Sequence, residues 1–292
     1  MTSIARVPAV SVVSPCYNGG RYLDPLLDSL ALQTFRDFEV VIVDDGSTDP
    51  DTEKKLASLG PSVRVIRQDN RGPAAARNTG IKAARAEVVL AIDCDDSLAP
   101  TFLEETIAAM TAAGPRCGFA FSHEKIVGYR EGINTSYFKL FDQLFVNRVP
   151  SCMLMRKQAW QDIGGYDENF RQGYEDWEIT VALGKAGYDG VVVPKILFFY
   201  LNRRDGLMMS RSTHMHNKLW AQIRTKHSDL YGFPALLRLW WRSRAIPGQL
   251  SLTFALAALS MATFLPESWF AALTHWLRAR RQAVPKDDPV KA

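Results

Sequence analysis

Three short apolar runs in the first hundred residues each stop at a polar turn, and this repetition constrains the fold more than any other feature. Residues 10–14 run into Pro15-Cys16-Tyr17-Asn18, residues 39–43 into Asp44-Asp45-Gly46-Ser47, and residues 87–92 into Asp93-Cys94-Asp95-Asp96. The runs are continuously apolar and rich in Val and Ile. They do not alternate as a half-solvated strand would, so both faces of each strand are expected to be covered. Residues 23–32, 74–84 and 100–112 lie between or after them with helical spacing of apolar residues, and residues 63–67 add a further strand. Strand and helix in alternation predict an α/β fold with a mainly parallel sheet flanked by helices. Ligands in such sheets bind beyond the carboxyl ends of the strands, where the three turns fall.

The middle of the chain is less regular. Residues 118–122 and 151–155 read as strands, and residues 128–150 as an aromatic, substrate-facing loop. Residues 156–163 read as a helix that breaks at Gly164-Gly165-Tyr166-Asp167-Glu168. Residues 177–186 predict a helix with Glu175 and Asp176 in its first turn, and residues 191–200 another apolar strand. Beyond residue 210 the character turns helical. Arg238, Trp240, Trp241, Arg242 and Arg244 precede an uncharged stretch over 245–266. Its apolar part is short beside the ~20 residues of a membrane span. It reads as a helical extension that packs on the domain or docks peripherally on a membrane.

Length and charge exclude several classes. A chain of 292 residues supports one large core and a small appendage. A net charge of +4 suits phosphate-bearing ligands or an anionic surface, not nucleic acid. The cysteines Cys16, Cys94, Cys117 and Cys152 form no CxxC pair, so neither a zinc site nor a disulfide framework is expected. The opening Met-Thr-Ser-Ile-Ala-Arg does not read as a secretory signal. A cytoplasmic location, peripheral on the membrane face if the helices dock, is the expectation.

Four acidic clusters are candidates for chemistry. The aspartates of Asp44-Asp45-Gly46-Ser47-Thr48-Asp49 read equally as carboxylates shown to a base or ribose and as an Asx turn capping the next helix. Asp93, Asp95 and Asp96 crowd three carboxylates into four residues, which repel unless a cation intervenes. Oxygen ligands of this kind favour Mg²⁺ or Mn²⁺; helix-capping aspartates in a solvated loop are the alternative. Glu175 and Asp176 suit either a general base or simple complementarity to the helix dipole. Trp177 beside them is either a sugar-stacking face or a core residue. In Asn202-Arg203-Arg204-Asp205 the arginines suit a diphosphate and Asp205 a metal shell, with a solvated basic loop as the plain alternative.

The order of these motifs carries more than any one of them. Pro15-Cys16-Tyr17-Asn18, then Gln33-Thr34-Phe35-Arg36-Asp37-Phe38-Glu39, then Val43-Asp44-Asp45-Gly46-Ser47-Thr48-Asp49, resembles the start of the family-2 glycosyltransferases. So do Asn70-Arg71-Gly72-Pro73-Ala74-Ala75-Ala76-Arg77-Asn78-Thr79-Gly80, the Asp-x-Asp-Asp turn, Gly164-Gly165-Tyr166-Asp167-Glu168 and Glu175-Asp176-Trp177-Glu178. The resemblance covers about residues 8–212. It implies a GT-A domain over 1–212, with 213–292 as the helical extension, and an inverting, metal-dependent transfer from a nucleotide-sugar, UDP by preference.

By that resemblance Pro15, Tyr17, Asn18, Asp44, Asp45, Arg77 and Asp93 belong to the nucleotide pocket. Asp95, with Asp93 or Asp96 and Asp205, holds the metal, Mn²⁺ or Mg²⁺. Asp176 is the base, with Glu175 positioning it or the acceptor. Relatives often have His where this chain has Asp205, with His214 as a weaker substitute. A Gln-x-x-Arg-Trp motif of processive members is not seen, so one hexose per encounter is expected, on a glycan or lipid-linked acceptor in cell-surface polysaccharide synthesis. A sugar nucleotidyltransferase would carry a Gly-rich basic loop after the first strand, which Pro15-Cys16-Tyr17-Asn18-Gly19-Gly20 is not. A non-catalytic binding protein on the same scaffold would be expected to have lost these acids. A dinucleotide oxidoreductase would show G-x-G-x-x-G.

Overall fold

The computed structural model describes residues 6–203, 215–243 and 250–264, the last three without side chains. Nine strands form one sheet: β1 (Val10–Cys16), β2 (Phe38–Asp44), β3 (Val63–Arg67), β4 (Val88–Ala91), β5 (Ser97–Leu98), β6 (Cys117–Gly128), β7 (Gly132–Asn134), β8 (Met153–Arg156) and β9 (Asp189–Asn202). The order is β3-β2-β1-β4-β8-β6-β9-β5, with β7 paired to β6. β3, β2, β1 and β4 are mutually parallel. β8 runs antiparallel to both β4 and β6, which restores β6 and its parallel neighbour β9 to the first direction. The expected mainly parallel sheet is thus present, with reversals at β8, β5 and β7.

Why these runs form central strands is visible in which face each residue takes. Val12, Ile42 and Leu90 pack on one side with Leu23, Leu26, Phe102 and Leu103. Those side chains come from α1 (Leu23–Ala31) and α4 (Phe102–Ala112). Val13, Val41, Val43, Val89 and Ala91 pack on the other with Ala76, Ile81 and Trp160, from α3 (Pro73–Ala83) and α6 (Lys157–Asp162). Alternate residues of an apolar run therefore fill two separate cores. At the α3 contact, a Cβ on Gly80 would lie 2.3 Å from the Val13 side chain, so only glycine lets this helix settle so close to β1.

A helix that periodicity misses is α2 (Pro50–Ala57). It buries only Thr52 and Leu56, and it starts where the Asp49 carboxylate accepts from Thr52 N at 3.0 Å with Pro50 following. The aromatic stretch over 128–150 contains β7 and a short α5 (Leu140–Gln143). α7 (Glu175–Lys185) begins where expected. α8 (His216–Lys226), α9 (Ser228–Tyr231), α10 (Phe233–Ser243) and α11 (Leu252–Phe264) form the helical extension. Trp220, Leu236, Leu250, Ala255 and Ala258 from this region share a third core with Phe141, Phe145 and Trp177. One face of the extension is therefore part of the body of the protein. No described helix is long and apolar enough to cross a membrane.

Candidate active site

The site lies at the carboxyl ends of β1, β2 and β4 and the start of α7. After β1, Tyr17 is exposed and Asn18 takes a left-handed backbone, φ 50°. The Asn18 amide oxygen accepts from Thr48 N at 2.8 Å and Asp49 N at 3.0 Å, while its own N–H donates to Ser47 Oγ at 3.0 Å. Asn18 therefore ties the first turn to the second. Asp44 is buried: one oxygen accepts from Ser47 N at 2.9 Å, and the other is 3.1 Å from the Arg67 guanidinium. Asp45 accepts from Gln68 Nε2 at 2.7 Å, Arg71 N at 3.0 Å and Gly72 N at 2.8 Å. Its carboxylate thereby draws the 68–72 loop over the end of β2. Gly46, Arg67, Gln68, Asp69 and Asn70 line an open depression beside it.

Arg77 occupies the centre of the site. It is buried, and its guanidinium donates to Glu175 at 2.6 Å and to Asp93 at 2.5 Å, with the Tyr166 ring 5.4 Å away. Burial opposes its charge, but the two carboxylates prevail and hold it protonated. The adjacent Asn78 clamps the 164–168 turn. It accepts from Tyr166 N at 2.9 Å and Trp160 Nε1 at 3.2 Å, and donates to Tyr166 O at 2.8 Å.

The three aspartates after β4 point three ways. Asp93 faces Arg77. Asp95 pairs with Arg203 at 2.8 Å, and the Arg203 guanidinium lies 4.5 Å from the Tyr22 ring. Asp96 is buried and accepts from Leu201 N at 2.9 Å, its second oxygen making no hydrogen bond. Burial first, then the Asp93 charge, pushes the Asp95 carboxyl up. Burial and the Asp95 charge push Asp96 up further. Among the described residues no three His, Cys, Asp or Glu side chains converge as a metal shell would need. Asp93 and Asp95 keep partly exposed carboxylates, whereas Asp96 faces the end of β9. Arg204, Asp205 and His214 lie outside the described residues.

On the opposite side, α7 starts from Tyr174, a non-glycine residue at φ 70°. The Tyr174 hydroxyl hydrogen-bonds the His216 ring at 2.7 Å, which helps hold this conformation. Glu175 is consumed by Arg77. Asp176 accepts from Asn147 Nδ2 at 2.9 Å. Burial and the Glu175 charge, opposed by Arg77, push its carboxyl up to about 7. Trp177 is fully buried, donates to Gln143 O at 2.5 Å and stacks on His216 in a row with Trp220. It belongs to the core and not to a sugar platform. The bond from Asn147 to Asp176 could not have been anticipated, because Asn147 sits in an irregular aromatic stretch without a motif.

A mainly parallel α/β sheet with an Asp-x-Asp-Asp turn facing an acid-bearing helix start defines a GT-A-type fold. Residues 11–164, more than half the chain, match glycosyl transferase family 2, and residues 130–211 match a glycosyltransferase-like family 2 description. The chain belongs to glycosyl transferase family 2.

It is similar to the putative glycosyltransferase EpsH of Bacillus subtilis (strain 168), 41% identical over 104 residues, covering 35% of this chain and 30% of that one. It is also similar to glycosyltransferase GlyA of Streptococcus pneumoniae serotype 4, 26% identical over 221 residues, covering 73% of this chain and 30% of that one. The matches thus span about a third of these relatives' length. Among solved structures, residues 1–349 of S. aureus TarS in complex with UDP-GlcNAc superpose with a TM-score of 0.64 at 23% identity, covering 93% of this chain and 87% of that one. The mannosyltransferase PcManGT from Pyrobaculum calidifontis, in complex with GDP-Man and Mn²⁺, gives 0.55 at 17% identity, covering 97% and 89%. Both show the shared fold.

Proposed function

We propose that this chain moves one sugar from a nucleotide-sugar, UDP-linked by preference, to an acceptor hydroxyl with inversion at the anomeric carbon. The observation that carries the reading is Asp176. It is a carboxyl set at about 7 at the start of α7, and its neighbour Glu175 is tied through Arg77 to Asp93 on the nucleotide side. A base tuned near neutral pH accepts a proton without a large penalty in either state. The acceptor oxygen attacks the anomeric carbon as its proton passes to Asp176. The bond from that carbon to the diphosphate breaks on the opposite face, and the diphosphate leaves with both electrons.

Tyr17 and Pro15, at the end of β1, line the base and ribose side, with Asp44 and Asp45 holding the surrounding loops. Arg77 and Asn18 act on the pocket indirectly, by positioning Asp93 and the 47–49 turn. Asp95 and Asp93, whose carboxylates are partly exposed, are the residues that would hold a divalent cation here. Asp96 is turned away from it, and Asp205 remains a candidate. Such a cation, Mn²⁺ or Mg²⁺, would supply charge neutralisation on the departing diphosphate.

Support for UDP comes from the TarS complex with UDP-GlcNAc, and support for a divalent cation from the PcManGT complex with Mn²⁺. The similarity to EpsH and GlyA supports glycosyl transfer; a glycan or lipid-linked acceptor in cell-surface polysaccharide synthesis rests on the sequence resemblance to the family. The test is a panel of nucleotide-sugars assayed for donor hydrolysis with Mn²⁺, Mg²⁺ and chelator, for the native chain and Asp176→Asn. Turnover of one donor that needs both the cation and Asp176 supports the reading. Absence of turnover and of nucleotide binding across the panel overturns it.

A further inference from the structure

We propose that the exposed side of α10 is a docking surface for an anionic lipid bilayer. The helix reads Phe-Pro-Ala-Leu-Leu-Arg-Leu-Trp-Trp-Arg-Ser, and the structure divides it in two. Leu236 is buried in the third core, where Leu239 and Trp240 pack beside it. The other side presents Phe233, 56% exposed, Leu237, 39%, and Trp241, 56%. These stand at i, i+4 and i+8 and so form one continuous stripe. Arg238 and Arg242 each follow a stripe residue by one position and run alongside it, both exposed.

Large apolar side chains held this far into water in a short row call for a covering surface. Charge decides which. From residue 230 to residue 266 the chain has no Asp or Glu, while Arg238, Arg242 and Arg244 fall in this stretch. Neither Arg238 nor Arg242 forms an ion pair among the described residues. A second copy of the same face would set arginines against arginines with no acid to answer them. Lipid phosphates answer both features, because aromatic rings settle at headgroup depth while the arginines meet the anions.

The apolar α11 does not supply this surface. Its Ala255 and Ala258 turn into the core, and its exposed residues Thr253, Ala257 and Ser260 are small. α10 packs on α5, α5 packs on α7, and α7 begins at Glu175 and Asp176. Docking would therefore hold the helix that carries Asp176 within two helix contacts of the membrane, which matters for catalysis only on the transferase reading, although the docking itself does not rest on it.

The experiment is co-flotation of the full chain with phosphatidylcholine vesicles, with and without phosphatidylglycerol, at low salt and without donor or acceptor. The native chain is expected to float only with the anionic vesicles and to be released by high salt. Arg238→Gln with Arg242→Gln should weaken partitioning roughly 30-fold, at the typical contribution of two interfacial arginines. Leu237→Ser with Trp241→Ser should abolish it. Circular dichroism and nucleotide binding of each variant report whether it remains folded. Should either pair misfold, quenching of native-chain tryptophan fluorescence by brominated anionic lipid gives the same answer without mutation. No flotation and no quenching, or flotation indifferent to both pairs, overturns the proposal. So does concentration-dependent dimerisation that the Leu237 and Trp241 changes disperse. Because vesicle binding is read without turnover, failure here leaves the catalytic reading untouched, and the reverse holds too.

Discussion

Arg77 and Glu175 stand 98 residues apart in the chain yet share a 2.6 Å ion pair at the heart of the site, both of them buried. The second arm of the same guanidinium holds Asp93. The 93–96 turn and the start of α7 are thus fastened to one cation, and the distance between them follows from its shape.

Removing that cation should be costly. Arg77→Met leaves Glu175 buried without its partner and is expected to lower unfolding free energy by roughly 3–5 kcal/mol, the usual loss when one member of a buried pair is deleted. Arg77→Lys keeps the charge but not the fork that reaches two acids, so it should recover only part. Urea unfolding of the three proteins checks both statements.

Asp176 should set the pH profile. Its carboxyl titrates near 7, and the base form is the deprotonated one, so kcat/KM should be low under acid conditions, rise through about 7 and then level. Asp176→Asn should remove this limb and lower kcat by ~10² or more while nucleotide affinity stays the same. Asn147→Leu removes a hydrogen bond to the carboxylate and should move the midpoint to higher pH. A midpoint that stays in place would show that another group governs the profile.

The aspartates of the 93–96 turn should separate by role. Asp95→Asn is expected to eliminate the Mn²⁺-dependent part of UDP affinity in calorimetry. Asp96→Asn should retain it, because its carboxyl is turned to Leu201 N and an amide oxygen accepts that bond equally well. Equal losses in both variants would place Asp96 in the metal shell after all.

Gly80→Ala tests the close seat of α3. The added methyl would stand 2.3 Å from the Val13 side chain and 3.1 Å from that of Val43. Overpacking of this kind costs roughly 1–3 kcal/mol, more than the ~1 kcal/mol that alanine gains over glycine in a helix. A lower Tm is expected, and scanning calorimetry measures it.

What the sequence made legible follows from burial. Val12, Val13, Ile42 and Val43 are apolar because both faces of their strands are covered, and that pattern needs no knowledge of partners. α2 escaped because two buried residues, Thr52 and Leu56, leave no apolar stripe, although Asp49 and Pro50 mark its start. The acids of the site were visible by type and position, but their partners were not. Nothing local shows that Arg77 reaches Asp93 and Glu175, or that Asn18 binds the backbone of Thr48 and Asp49. Such pairings arise from how distant strand ends meet. Likewise the tryptophans and arginines over 238–244 are plain in the sequence, but only packing decides that Leu236 goes inward and Trp241 outward.

Arg203 pairs with Asp95 of the 93–96 turn, and His216 bonds Tyr174 at the start of α7. For protein engineering these two contacts are junctions to preserve. A chimaera that joins this sheet to the C-terminal helices of a relative should keep Arg203 opposite Asp95 and His216 opposite Tyr174, because the first sets where the chain leaves β9 and the second where it enters α8.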